Sequence, residues 1–101
     1  MTEHDIKVSL HFIGTAEGGR KTPVKSGYRT QFHFIEDNDC NDYTITLQFD
    51  GKECVSPGDN AIARGVFLCK EPLKLIEATM PFELHEGQKV IATGNVISKS
   101  I

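Results

Sequence analysis

Cysteine is scarce in this chain. Among 101 residues only Cys40, Cys54 and Cys69 occur, an odd number too sparse for a disulfide framework, so free thiols are expected. No C-x-x-C pair exists and no histidine stands at a zinc-like spacing from a cysteine. Spacing therefore predicts no metal site. Long hydrophobic runs are missing too, since nothing approaches the roughly eighteen consecutive apolar residues of a membrane helix. The opening Met1-Thr2-Glu3-His4-Asp5 lacks the basic cluster and apolar stretch of a secretory signal. These absences predict a cytoplasmic protein with no membrane partner. Neither sign of charge dominates: 11 basic against 14 acidic residues give a net charge of −3, which disfavours a general nucleic-acid coat. Sustained helical periodicity, internal repeats and low-complexity tracts are also lacking.

What the chain has is alternation. Ile6-Lys7-Val8-Ser9-Leu10-His11-Phe12 switches strictly between apolar and polar residues, the signature of a strand with one buried face. The even positions should point inward. Thr30-Gln31-Phe32-His33-Phe34 and Tyr43-Thr44-Ile45-Thr46-Leu47-Gln48-Phe49 repeat the pattern with residues suited to a pleated surface. Residues 62–68 read as a further strand, with Gly65 as a bulge. Pro81, which cannot donate to a ladder, should sit at an edge or at a strand start in Met80-Pro81-Phe82-Glu83-Leu84. His85-Glu86-Gly87-Gln88 reads as a hairpin turn leading into a long final strand over 89–101. Six or seven strands in one short chain predict an all-β fold, a small antiparallel barrel or sandwich forming a single domain over 1–101.

Between the first two strands, residues 14–27 hold Gly14, Gly18, Gly19, Pro23 and Gly27, too many breakers for a helix or an unbroken strand. An ordered loop of that length in a compact domain is usually functional. It carries Arg20, Lys21 and Lys25, with Arg29 just beyond, and after Glu17 no acid until Glu36-Asp37-Asn38-Asp39-Cys40-Asn41-Asp42. Residues 14–22 come near the phosphate-binding G-x-x-x-x-G-K-[ST] loop. Arg20 intrudes between Gly19 and Lys21, and Pro23 and Gly27 prevent the helix that should follow, so no nucleotide and no cofactor is expected. His11 and His33 fall on the polar phase of their strands, while His4 lies at the terminus and His85 in the turn. All four read as surface histidines. No arrangement of nucleophile, base or paired carboxylates suggests catalysis, and the chain reads as a non-enzyme.

Glu17-Gly18-Gly19-Arg20-Lys21-Thr22-Pro23, then Gly27-Tyr28-Arg29-Thr30-Gln31-Phe32, then Pro57-Gly58-Asp59-Asn60 and finally His85-Glu86-Gly87 carry a resemblance. In this order and spacing they resemble the C-terminal, third domain of the elongation factor Tu family of translation GTPases, over nearly the whole chain. The resemblance implies a closed six-stranded antiparallel barrel. In that family the domain packs on the GTPase domain, touches the T-stem of aminoacyl-tRNA and helps bind the nucleotide-exchange factor. By matching motifs, the RNA- or partner-facing positions would be Arg20, Lys21, Gln31, Lys70, Glu86 and Gly87. The chain departs from the family pattern at Lys21, where histidine is usual, and in the acidic Glu36, Asp37 and Asp39, which would repel phosphates beside an RNA surface. With no GTPase domain in this sequence, the resemblance implies a stand-alone binding module whose partner is a translation factor or a GTPase-domain protein. The alternative is a tRNA-binding module using the Arg20-Lys21-Gln31 face. Met1 and the matching carboxyl end suggest a complete product.

Overall fold

A computed structural model of the protein describes residues 5–35, 42–68, 72, 76–77 and 79–99. Its strands are β1 (Asp5–Phe12), β2 (Val24–Lys25), β3 (Tyr28–Phe34), β4 (Asp42–Phe49), β5 (Cys54–Val55), β6 (Asn60–Phe67), β7 (Pro81–Glu86) and β8 (Lys89–Lys99). Six of them close into a barrel in the order β1-β6-β4-β3-β7-β8, and β2 pairs with β5 as a separate two-stranded ribbon. Every barrel pairing is antiparallel, and β1 and β8 close the ring. No strand of the barrel is left with an unpaired edge. Among the described residues no helix is long and apolar enough to cross a membrane.

The alternation sorts the side chains as the sequence predicts. Ile6, Val8, Leu10 and Phe12 of β1 are all buried, as are Ile45, Leu47 and Phe49 of β4. Phe32 lies at the centre of an aromatic cluster, stacked on Phe82 at 4.5 Å and edge-on to Phe34 at 4.9 Å and Phe67 at 5.0 Å. Such pairs add stabilisation beyond the area they bury, about 0.5–1.5 kcal/mol each.

Two expectations are corrected. Gly65 is no bulge: β6 pairs in continuous register with β1 and with β4 through that residue. The lack of a side chain there makes room for packing, since a Cβ would come within 2.5 Å of Ile45 Cδ1. The irregularities fall on β8 instead, where the register slips opposite Lys7/Val8 and opposite Leu84/His85. The second slip lets the adjacent Ile91 and Ala92 both be buried, which strict alternation forbids. Likewise the stretch 14–27 is not wholly loop, because Thr15–Glu17 form a 3-10 turn and β2 lies inside it. Pro81 opens β7 as expected.

Candidate functional site

The end of the barrel where β1 and β4 finish and β3, β6 and β8 begin is covered by the stretch between β1 and β3 and by the turn after β5. Val24 and Val55, both buried, face each other in the β2–β5 register over this mouth. Backbone bonds fasten the cover. Gly27 N–H donates to the Leu47 carbonyl at 2.7 Å, Ser26 N–H to that of Glu53 at 2.8 Å, and Gly58 N–H to that of Phe12 at 2.9 Å.

Within the cover, the Gly14 carbonyl accepts from the N–H groups of both Glu17 and Gly19 at 2.9 Å, and the Thr15 hydroxyl donates to the Arg20 carbonyl at 2.6 Å. This folding brings the Gly19 backbone so close that a Cβ would lie 1.9 Å from the Ile13 carbonyl oxygen. Only glycine fits, and the tight turn aims the next side chain, Arg20, across the barrel mouth.

There Arg20 forms an ion pair with Glu86 at the end of β7. The same carboxylate oxygen accepts a hydrogen bond from the Tyr28 hydroxyl. The guanidinium carbon stands 5.2 Å from the Tyr28 ring centroid, and its remaining nitrogens donate to the Thr22 carbonyl at 3.2 Å and the Thr22 hydroxyl at 3.1 Å. Burial, and next the bond to Glu86, push the Tyr28 phenol up to about 12. The Arg20 and Glu86 side chains are 23% and 36% exposed, so this clamp is partly shielded yet reachable from outside.

The residues expected from the sequence divide accordingly. Arg20 and Glu86 meet directly, joined by Tyr28, a member that alternation alone could not single out. Gly87, with φ +63°, takes the first position of the two-residue turn joining β7 to β8, where such hairpins require a positive angle. Lys21 is exposed beside Arg20, as are Lys25 and Arg29. Gln31 sits on the outer face of β3 opposite His85 in register, donating to the Thr44 hydroxyl at 3.4 Å. It neighbours the clamp without joining it. Lys70 and the acidic residues 36–41 lie outside the described residues.

The histidines need correction. His85 belongs to β7 rather than to the turn, and His33 and His85 are only 16% and 14% exposed. Their rings stack at 4.7 Å, His33 Nδ1 donates to Asp42 Oδ1 at 2.8 Å, and His85 Nε2 donates to Glu83 Oε1 at 3.0 Å. The pairing register assembles this cluster: His33 stands opposite Asp42 on β4 and opposite Glu83 on β7. His11, by contrast, is exposed and contacts Asn60 at 2.7 Å.

The outer face of β4, β3 and β7 thus carries carboxylates at Asp42 and Glu83, while the barrel mouth above it holds a neutralised arginine and exposed lysines. A family model described as the elongation factor Tu C-terminal domain matches residues 2–99 of the chain.

Proposed function

The chain belongs to the elongation factor Tu C-terminal domain family, and from that premise we propose that it is a non-enzymatic binding module of the translation machinery acting in the cytoplasm. Its partner is a protein, either a translation factor or a chain bearing the GTPase domain on which the family's third domain packs. The docking region is the capped barrel mouth: Arg20, Lys21, Glu86 and Gly87, with Gln31 on the adjoining face.

One observation carries the preference for protein over RNA. Arg20, the residue best placed to grip a phosphate, is already paired with Glu86, and the outer side of the same strand adds Glu83 three residues earlier. A phosphodiester approaching there must break an ion pair and meet further negative charge. A protein surface can instead engage the clamp as it stands. The tRNA reading rests on the exposed Lys21, Lys25 and Arg29, and it makes a separate demand, an affinity that rises steeply as salt is lowered.

Affinity capture with the tagged chain from its source cell tests the proposal. It should recover a translation factor or a translation GTPase, and recovery should fall with Lys21→Glu. Capture of no translation component would overturn it. A low-salt titration in which tRNA binds and Lys21→Ala weakens it would favour RNA instead.

A further inference from the structure

The cluster of His33, His85 and Asp42 lies apart from the clamp, on the outer wall of β3, β7 and β4. One ligand atom from each lies within 4.8 Å of the others. Glu83 fixes which way the His85 ring is turned. A carboxylate only accepts hydrogen bonds, so His85 Nε2 donates to Glu83 Oε1 at 3.0 Å. The other ring nitrogen, His85 Nδ1, faces Asp42 Oδ2 at 3.8 Å. The other oxygen of the same carboxylate accepts from His33 Nδ1 at 2.8 Å.

We propose that His33, His85 and Asp42 form a binding site for a divalent transition-metal cation, with Zn2+ as the best fit. Zinc lies about 2.0–2.1 Å from imidazole nitrogen and about 2.0–2.2 Å from carboxylate oxygen. The 3.8 Å gap between His85 Nδ1 and Asp42 Oδ2 is therefore spanned by one cation in a bent N–Zn–O arrangement. At His33 the cation replaces the proton that Nδ1 now donates, and that proton leaves to solvent. Two imidazoles and one carboxylate suit zinc, copper or nickel and offer too few oxygens for calcium or magnesium.

Glu83 serves as the outer partner that metal-bound histidines ordinarily have, holding the His85 ring by its second nitrogen. The ligands come from three strands of a closed barrel, so their backbones are preorganised and only small side-chain rotations are needed. The site faces outward, which provides an entry path and leaves the remaining coordination positions to water. Binding there would tie β4 to β7 across β3, independently of whatever docks at the barrel mouth.

Isothermal titration of the full chain with Zn2+ alone tests the proposal, with thermal unfolding followed in parallel. One Zn2+ per chain should bind, and it should raise the unfolding temperature. His85→Ala and His33→Ala should each abolish that binding and the thermal shift. Glu83→Gln should weaken binding about 10- to 100-fold, the usual effect of losing an outer-sphere partner. His11→Ala, on another part of the wall, should bind as the parent does. Should a histidine variant misfold by circular dichroism, Asp42→Asn provides the same test with the side-chain shape retained. No heat and no thermal shift with the parent, or undiminished binding by His85→Ala or Asp42→Asn, would overturn the assignment.

Discussion

At the scale of single residues, the structure turns on positions where one atom more would not fit and one proton is held back. A Cβ at Gly19 would overlap the Ile13 carbonyl oxygen at 1.9 Å, and backbone cannot yield as a side chain can. Gly19→Ala should therefore cost at least about 2 kcal/mol in urea unfolding, toward the severe end for point substitutions. At Gly65 the obstacle is the flexible tip of Ile45, and Gly65→Ala should cost about 1–3 kcal/mol, the usual toll of overpacking. Tyr28 gives a pH signature. Its phenol is raised in the folded protein from 10.0 to about 12, so the neutral form is favoured by folding. That contribution is fully present below pH 10 and is lost as the pH climbs toward 12. Absorbance at 295 nm should show one tyrosine ionising near pH 12, and Glu86→Gln should bring that transition down. A Tyr28 transition unmoved by the substitution would contradict the hydrogen-bonded clamp.

At the scale of elements, the loop between β1 and β3 is held by backbone bonds at both ends and by Arg20 in the middle. Arg20→Ala should leave the barrel strands as protected from hydrogen exchange as before, while the amides of Glu17 and Gly19 exchange faster. Because both partners are partly exposed, the loss in global stability should be no more than about 1 kcal/mol. Much of this level is readable in the sequence. Period two locates β1, β3, β4 and β7, because one side of each strand is apolar and the other is not; β6 reads as a strand without a marked buried face, since Ile62 and Val66 stand on its outer side. Period two could not locate β2, two residues long, nor the slips on β8, because a bulge changes pairing without leaving a compositional mark. The clamp was half legible: Arg20 and Glu86 were both singled out, yet their meeting depends on how the cover folds. The histidine cluster was invisible, because His33, Asp42 and His85 become neighbours only through the register of three strands.

At the scale of the whole molecule, closure is the dominant fact, and it joins the two ends of the chain: β1 and β8 pair, so nearly every strand depends on partners distant in sequence. Phe32→Ala, removing the ring that touches Phe34, Phe67 and Phe82, should cost about 3–5 kcal/mol and lower the midpoint of one cooperative transition. Because closure presents a rigid wall and a capped mouth, the region offered to a partner is fixed before binding, and docking should shift few backbone signals beyond it. The most direct test is nuclear magnetic resonance of the isotope-labelled chain titrated with a GTPase-bearing elongation factor fragment that lacks its own third barrel. Perturbations should cluster at Arg20, Lys21, Tyr28, Gln31, Glu86 and Gly87. Binding confined to the opposite end of the barrel, or no binding to the fragment alongside the same cluster shifting with tRNA at low salt, would contradict a protein-docking role for the clamp.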